Sequence, residues 1–396
     1  MVLAAGVHCA AAAAGVAVAV AGAAVDVAGV ADAADVAGAP EAGAPDAVAL
    51  DEQPDVTAPV IATTARPAPN RASLIAPSRI SHPVCTHPNP SLARGRRTLP
   101  DMRLGAVFPQ TEIGSDPADV RRWATTVEEL GYDHILAYDH VLGAGTDTRP
   151  GWQGYTSETL FHEVFVLYGY LAAVTTRVEL VTGVLILPQR QTALVAKQAA
   201  EVDVLSGGRL RLGIGVGWND VEYEALGTSF QDRGVRSEEQ IALLRELWAA
   251  PLVTFEGRWE RVDNAGIKPR PAAGRIPVWL GGASDRTLRR VARIGDGWLP
   301  NADPAQGAEM VARLRGYARD AGRDPAAIGL EPRLNLATIP PAERADYVAA
   351  WQRLGATHLT VATMGAGYAT VDDHLGALET AIADLRRDGA HDPAAD

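Results

Sequence analysis

Residues 177–218, RVELVTGVLILPQRQTALVAKQAAEVDVLSGGRLRLGIGVGW, contain the pattern that decides the fold. A β-branched apolar run ends at Pro188, a helical run follows and closes at Gly207 and Gly208, and a second apolar run begins directly afterwards. Strand, helix and strand in this order indicate a parallel βαβ unit. Gly183 interrupts the first run, although a strand that only filled a core would not need a glycine there.

The same alternation continues on both sides of this unit. Eight short apolar runs that alternate with helical patterns predict a closed (β/α)8 TIM barrel of the α/β class, with an open doubly wound sheet as the competing fold. The predicted strands are RLGAVFP (103–109), DHILAYDH (133–140), RVELVTGVLILP (177–188), RLRLGIGVGW (209–218), IPVWLGG (276–282), DGWLP (296–300), GLEPRLNLA (329–337) and THLTVAT (357–363). After the fourth strand, residues 219–275 form an insertion that holds a predicted helix and a predicted hairpin.

Composition divides the chain of 396 residues into three parts. Residues 1–101 are rich in Ala, Gly, Val and Pro and are expected to be a low-complexity or disordered leader. Residues 102–388 are expected to form the barrel domain, and residues 389–396 a frayed tail. Met102 resembles a natural start, so the leader can be interpreted as an over-extended start of the reading frame.

The charges and cysteines narrow the range of partners. The formal net charge of −12 gives no long-range attraction to phosphate backbones, so no nucleic-acid partner is expected. The leader begins with an apolar stretch but carries no Lys or Arg before Arg66, which argues against an export signal, and no membrane partner is expected. Both cysteines, Cys9 and Cys85, lie in the leader, so the barrel has no disulfide and a cytoplasmic location is expected.

Glycine and polar residues cluster at the C-terminal ends of the predicted strands, where a βα barrel places its chemistry. Gly281, Gly282, Ala283 and Ser284 lead directly into a helix, whose free N–H groups and dipole attract anions. This predicts a phosphate site, with a glycine-rich helix cap as the alternative. GIGVGW (213–218) lacks the spacing of a dinucleotide fingerprint and is interpreted as a flat surface for a ring system, or else as a structural bend.

His140, beside Asp139 at the end of the second strand, is the candidate for proton chemistry. Histidine titrates near neutrality and can donate or accept a proton during turnover, although a His that only caps a loop would look the same in the sequence. The sequence has no HExxH pair, no Walker A pattern and no G-x-S-x-G elbow. Catalytic zinc, NTP hydrolysis and α/β-hydrolase chemistry are therefore not expected, and no metal ligand is assigned.

Several stretches together resemble the luciferase-like monooxygenase superfamily, and most of all its coenzyme F420-dependent branch. They are RLGAVFPQ, EELGYDHILAYDHV, the block from YLAAVTTRVELV to GIGVGWND, EALGTSFQDRG and IPVWLGGASDRTLRRVARIGDGWLP. The likeness extends over residues 102–387 and is densest over residues 174–300. The resemblance implies a TIM-barrel oxidoreductase that uses F420, with FMN as the alternative cofactor, and a homodimer, since dimers are common in the superfamily.

The resemblance also explains the glycine in the third strand. Members of the F420 branch carry a non-proline cis peptide bond at this place, which supports the central ring of the deazaflavin. In this sequence the bond would join Gly183 to Val184. By the same matching, Asp139 would contact the deazaflavin or its tail, and His140 would lie near the reacting carbon.

Other positions follow from the same resemblance. Three residues would line the cofactor face: Gly215, Gly217 and Trp218. Residues 281–284 would bind the cofactor phosphate. Trp218 is also a departure, because the glucose-6-phosphate dehydrogenases of the branch carry Glu there, so sugar-phosphate oxidation is not expected. The pocket should be more apolar, with a wall formed by Phe108, Trp152, Tyr155 and Trp218.

The predicted function is therefore hydride transfer between C5 of F420 and a small, fairly apolar organic substrate, with His140 as the acid or base. An FMN-dependent monooxygenase that uses O2 and a non-catalytic flavin- or deazaflavin-binding barrel remain the alternatives. Residues 142–155 and the insertion 219–275 are predicted to form the lid and the substrate walls.

Overall fold

The strands form a parallel sheet that curls into a barrel. The structure, a computed structural model, describes residues 102–390. The strands are β1 (Arg103–Val107), β2 (His134–Ala137), β3 (Glu179–Thr182), β4 (Leu185–Ile186), β5 (Leu210–Gly215), β6 (Val253–Glu256), β7 (Arg261–Ala265), β8 (Val278–Gly281), β9 (Gly297–Leu299), β10 (Gly329–Leu330), β11 (Arg333–Asn335) and β12 (His358–Ala362). β6 and β7 form an antiparallel hairpin, and the other strands pair in parallel in one sheet.

The barrel closes at its seventh strand, which consists of two short pieces. β10 pairs with β9 at Gly329↔Gly297, whereas β11 pairs with β12 at Arg333↔Thr360. Residues 331–332 join the two pieces. Since β9 and β12 lie towards the two ends of the remaining strand order, this strand connects them into a ring of eight. The predicted (β/α)8 TIM barrel is confirmed, and the open doubly wound alternative is wrong.

Helices surround the barrel and begin at capping residues. They are α1 (Pro117–Glu129), α2 (Val164–Val174), α3 (Thr192–Ser206), α4 (Asp220–Ala225), α5 (Arg233–Ala249), α6 (Asp285–Ile294), α7 (Pro304–Asp320), α8 (Pro341–Arg353) and α9 (Val371–Ala390). In α1, the Asp116 side chain accepts a hydrogen bond from the Ala118 N–H, and Pro117 occupies the first turn. Gly207, at φ 73°, ends α3 in the left-handed conformation.

Two predicted elements differ from those observed. The apolar stretch SETLFHEVFVLYGYLAAVT (157–175) predicts a helix over its whole length, but the second helix begins at Val164, because the Glu163 side chain caps it by accepting a hydrogen bond from the Val166 N–H. The third barrel strand is not continuous, since β3 and β4 flank residues 183–184. The insertion after β5 is confirmed, and it contains α4 in addition to the predicted helix and hairpin.

A cluster of buried polar side chains fills the part of the barrel near the strand N-termini. The Arg211 guanidinium forms ion pairs with Glu331 and, at 2.9 Å, with Glu179. Glu331 also accepts a hydrogen bond from the Thr360 hydroxyl and lies 2.7 Å from His134 Nε2. Burial opposes ionisation, but Arg211 and His134 hold the pKa of Glu331 well below its usual range. Glu331 is therefore a carboxylate that joins strands from several parts of the barrel.

Trp279 and His358 complete this cluster. The Arg211 guanidinium lies over the Trp279 ring at 4.3 Å, and the Trp279 ring meets the His358 ring with 4.9 Å between centroids. The Trp279 ring occupies the space where side chains at Gly297 and Gly329 would lie. Burial, together with the charge of Arg211, lowers the pKa of His358 well below its usual range, so this imidazole is neutral.

Two expectations concern parts of the chain at or beyond the ends of the barrel. The predicted leader, residues 1–101, lies outside the described residues, as does the tail after residue 390. α9 continues to Ala390 and thus includes the first two residues that were assigned to the tail. Within residues 102–390, no helix combines the length and the apolar character needed to cross a bilayer.

Removing the charge of Glu331 should destabilise the barrel. We expect Glu331→Gln to lower the free energy of unfolding by about 3–5 kcal/mol, because it leaves the buried Arg211 with one counter-charge fewer. Urea denaturation measures this loss. Asp384→Asn is the control, since it removes a half-exposed carboxylate that pairs with Arg387 at 3.0 Å. That change should cost less than about 1 kcal/mol, and equal losses in the two variants would contradict the expectation.

The neutral, partly buried His358 should make stability depend on pH. The folded-state pKa of His358 lies below the ordinary value near 6.5, so the unfolded chain binds more protons. The free energy of unfolding should therefore fall as the pH drops below about 6.5. We expect His358→Gln to show a smaller fall than the unchanged protein in thermal denaturation across this range at constant salt. An identical fall in both proteins would show that His358 does not contribute.

Candidate active site

Val184 lies at the barrel mouth, where the third barrel strand ends. The Gly183–Val184 peptide bond is cis, as the resemblance implies. Both residues are partly exposed, whereas the residues directly before and after them are buried. A Cβ atom on Gly281 would lie 2.7 Å from Val184 Cγ1, and one on Gly215 would overlap Val184 Cγ2. Three strand ends thus bring these predicted cofactor positions together around one side chain.

Gly217 and Trp218 continue this surface after β5. Gly217 has a φ of 67°, and a Cβ atom there would lie 2.7 Å from Ile186 Cγ2. Gly217 and Trp218 are both partly exposed. The structure therefore places them beside the segment that follows Val184, in keeping with the predicted surface for a ring system.

The predicted phosphate site lies at the N-terminus of α6. Ser284 is the N-cap, and its hydroxyl accepts a hydrogen bond from the Thr287 N–H at 3.2 Å. Gly282 has a φ of 118°, a conformation that favours glycine. Residues 281–284 are all partly exposed, so their backbone is open to a ligand. Phosphate binding at this turn stays a prediction, supported by the helix dipole.

A carboxylate from the insertion orients His140. His140 Nδ1 lies 3.2 and 3.3 Å from the two carboxylate oxygens of Glu222 in α4. Glu222 also accepts hydrogen bonds from the Val141 N–H at 2.8 Å and from the Gln189 side chain at 3.2 Å. Burial would raise the pKa of Glu222, but these hydrogen bonds, led by that of His140, hold it below its usual range. Glu222 is thus an anion that accepts from Nδ1–H and leaves Nε2 at the other edge of the ring.

Aromatic rings surround His140. The His140 ring centroid lies 4.7 Å from Tyr155, 4.8 Å from Phe161 and 6.0 Å from Trp218. Trp152 packs against Trp218 at 5.8 Å. The His140 side chain is 12% exposed, so the imidazole has limited access to water. Three of the four predicted wall residues therefore come together around the candidate acid or base, and Phe161 joins them. These rings are called the aromatic wall below.

Phe108 does not belong to the aromatic wall, and this part of the prediction is wrong. Its ring is fully buried and meets Trp123 of α1 with 5.2 Å between centroids. Side chains alternate along a strand, and Val107 packs with inward-facing residues of the neighbouring strands. Phe108 must then face the helices, where it stabilises the contact between β1 and α1.

Asp139 takes part in a buried ion pair. Arg190 donates to Asp139 Oδ1 at 2.6 Å and to Oδ2 at 3.3 Å, and the Ile186 N–H donates to Oδ2 at 3.0 Å. Arg190 also pairs with Glu163 at 2.9 Å. Asp139 is only 2% exposed. It connects the end of β2 to the segment after Val184, and its predicted contact with the cofactor stays a prediction.

The sequence analysis missed Glu222, Phe161 and Arg190. Glu222 lies in the short helix α4, which the sequence pattern did not define. Phe161 was assigned to a helix that begins only at Val164. Arg190 did give a signal, because an arginine directly after a buried apolar run needs a counter-charge nearby.

These residues fit a flat ring system that carries a phosphate-bearing tail. The partly exposed glycines Gly183, Gly217 and Gly281 present no side chain to a ligand, so a ring can approach the backbone closely. The first turn of α6 offers N–H groups to an anion. One oriented imidazole lies at the same mouth, and the aromatic wall limits its access to water. The arrangement suits a cofactor that transfers a hydride while the protein moves a proton.

Sequence comparison relates the chain to curated proteins over part of their length. It is 38% identical over 164 residues to an uncharacterized protein of Mycobacterium tuberculosis (strain ATCC 25618 / H37Rv), a match that covers 41% of this chain and 56% of that protein. It is 35% identical over 190 residues to the FMNH(2)-dependent dimethylsulfone monooxygenase of Pseudomonas fluorescens (strain Pf0-1), covering 47% of this chain and 49% of that protein. The chain spans about half the length of the curated relatives that it matches.

Solved structures share the fold. An F420-dependent secondary alcohol dehydrogenase, solved in complex with an F420-acetone adduct, superposes with a TM-score of 0.60 at 17% identity, over 72% of this chain and 99% of that chain. A sequence model of the family described as luciferase-like monooxygenase matches residues 102–396. The chain therefore belongs to the luciferase-like monooxygenase family.

Proposed function

We propose that the protein is an F420-dependent oxidoreductase that transfers a hydride between C5 of the deazaflavin and a small organic substrate. The observation that carries this proposal is the His140–Glu222 pair, with its 3.2 Å contact, at the same barrel mouth as the partly exposed Val184. Hydride transfer to or from an oxygen-bearing carbon needs a proton acceptor or donor close to the ring. Membership of the luciferase-like monooxygenase family supports flavin or deazaflavin oxidoreductase chemistry.

The protein's own residues would hold the ring and its tail. The bound deazaflavin would supply the hydride chemistry at C5. Val184 would support the ring from behind, with Gly215 and Gly281 packed against its side chain. Residues 281–284 would bind the phosphate at the N-terminus of α6, where the helix dipole favours an anion.

His140 would hold or move one proton at Nε2. Because Nδ1–H donates to the ionised Glu222, the carboxylate stabilises a positive charge on the imidazole while the proton is held there. When a substrate hydroxyl is oxidised, Nε2 would accept its proton, and in the reverse direction it would return the proton to a carbonyl oxygen. Tyr155, Phe161 and Trp218 would keep bulk water away from this transfer.

The second candidate is an FMN-dependent monooxygenase that uses O2. The relative that is an FMNH(2)-dependent dimethylsulfone monooxygenase favours this reading. The same glycine-lined surface and the same α6 turn would hold the ring and phosphate of FMN.

A homodimer is also proposed, supported by exposed apolar side chains on the packed helices α2 and α3, namely Val166 at 73%, Leu194 at 51% and Leu205 at 67% exposure.

Cofactor binding separates the two candidates. We expect the purified full chain to bind F420 with a dissociation constant at least about tenfold lower than that of FMN, measured by fluorescence titration under identical conditions. Tight FMN binding without a response to F420 would favour the monooxygenase. Gly281→Val should weaken binding of the preferred cofactor, because the new side chain would displace Val184. Gly316→Ala is the control, because it adds a Cβ in open space on α7.

Turnover tests the roles of His140 and Glu222. In a screen of F420 reduction by small alcohols and of F420H2 oxidation by small aldehydes and enones, we expect His140→Ala to lower kcat about 10²–10⁴-fold, because it removes the proton donor and acceptor. Glu222→Gln should give a smaller loss, since it keeps the imidazole but removes the charge that orients it. F420 affinity should change little in both variants. Full turnover by His140→Ala would remove the proposed role, and a wild-type protein that binds F420 without any turnover would favour the non-catalytic alternative.

A further inference from the structure

Arg333 is a cation at the barrel mouth that the proposed reaction does not use. It begins β11 two residues after Glu331, so its side chain points into the barrel as that of Glu331 does. Nη1 donates to Tyr138 Oη at 2.8 Å, and Nη2 donates to Asn301 Oδ1 at 3.3 Å. These bonds use two of the five N–H groups of a guanidinium, so donors remain for a ligand.

Arg333 has no anionic partner in the part of the chain that the structure describes. Arg211, the inward-facing arginine of the cluster below, has two carboxylates, whereas the side-chain partners of Arg333 are a phenol and an amide. Tyr138 raises the pKa of Arg333 above its ordinary value and burial opposes this, so the guanidinium stays charged. A partly buried charge without a counter-ion is unfavourable, and a bound anion would relieve that cost.

Arg333 faces the cofactor surface from the opposite wall. In a ring of eight strands the seventh lies across from the third, and Val184 follows the third. A ligand that binds Arg333 would therefore lie on the side of the ring that Val184 does not support. This is the position of a substrate rather than of the cofactor tail, which is expected at α6.

The aromatic wall lies close to Arg333. Arg333 donates to the Tyr138 hydroxyl at 2.8 Å, and Tyr138 lies two residues before His140, whose ring the wall surrounds. Tyr155 in turn packs against His140 at 4.7 Å and Phe161 at 4.6 Å. The mouth thus presents one cationic, hydrogen-bonding side and one aromatic side, with the candidate acid or base beside the latter.

We propose that Arg333 and Tyr138 bind the carboxylate of an organic-acid substrate, whose apolar, ring-sized body packs against Tyr155, Phe161 and Trp218. A guanidinium matches a carboxylate through planar, two-point hydrogen bonding. The aromatic wall favours a flat apolar body by stacking or edge contacts. This proposal adds a substrate class to the proposed function. The binding of a carboxylate at Arg333 does not depend on that function, but the identification of the bound acid as the substrate rests on it. It also adds a charged group to the fairly apolar substrate that the sequence predicts.

Binding of two matched probes tests the proposal without requiring turnover. Isothermal titration calorimetry of the full chain, with and without F420, would compare 3-phenylpropionate with the neutral 3-phenylpropanamide. We expect the acid to bind at least about tenfold more tightly, as a charge-assisted hydrogen bond implies. Arg333→Met should abolish this preference. Arg333→Lys should retain part of it, because the charge remains while the two-point geometry is lost.

Controls separate a lost contact from a lost fold. Arg353→Met, an exposed arginine of α8, should keep the full preference for the acid. Thermal denaturation must show that each variant is folded at the assay temperature, and Tyr138→Phe serves as a second, milder variant that should reduce the preference. A wild-type protein that binds the amide as tightly as the acid overturns the proposal, and so does a folded Arg333→Met variant that keeps the preference.

Two further outcomes distinguish a substrate site at Arg333 from a cofactor site, and a failure of this proposal from a failure of the proposed redox function. If Arg333→Met weakens F420 binding about tenfold and the wild-type protein shows no preference for the acid, Arg333 binds the cofactor and the proposal is overturned. If neither F420 nor FMN binds, but the preference for the acid and its loss in Arg333→Met both remain, the carboxylate site is supported and the redox function fails.

Discussion

The ion pair between Arg211 and Glu331 is the constraint on which the rest of the barrel depends. Glu331 lies between the two pieces of the seventh strand, at the place where the ring closes. Its carboxylate is held from β5 by Arg211, from β2 by His134 and from β12 by Thr360. Because these groups are buried, each needs its partners, and together they fix how four strands face one another.

This constraint also determines the character of the mouth. Side chains alternate along a strand, so the residue two places after Glu331 must point inward as well. That residue is Arg333, which lies beyond the reach of the carboxylates that neutralise Arg211. Among residues 102–390, the interior is therefore charge-balanced near the strand N-termini and carries a cation without an anionic partner near the mouth. Since the hydroxyl of Tyr138 and the amide of Asn301 are neutral acceptors, they hold the guanidinium in place without neutralising it.

The sequence predicts the strands and the glycine-rich rim well, but the side-chain partners poorly. Hydrophobic periodicity and glycine positions are local signals, so the barrel, the insertion and the interruption at Gly183 could be predicted from the sequence. The side-chain partners of His140 and Asp139 could not be predicted, because they lie far away in the sequence. Glu222 lies 82 positions from His140, and Arg190 lies 51 positions from Asp139. The prediction that Phe108 lines the pocket was wrong for a different reason. The strand ends at Val107, and which face the next residue takes depends on the register of the whole strand.

Trp218 stands where the resemblance leads one to expect a glutamate, and the structure places a carboxylate, that of Glu222, four residues later. Trp218 departs from the glutamate expected by resemblance, which suggested a pocket without a carboxylate. Glu222 supplies one from the first turn of α4, but it bonds to the Nδ1 edge of His140 and is fully buried rather than open to a substrate. The carboxylate thus serves the imidazole, while Trp218 contributes its ring to the aromatic wall. Because the negative charge of Glu222 lies behind His140, the front of the pocket presents the aromatic wall together with the cation of Arg333, an environment that suits an anionic substrate.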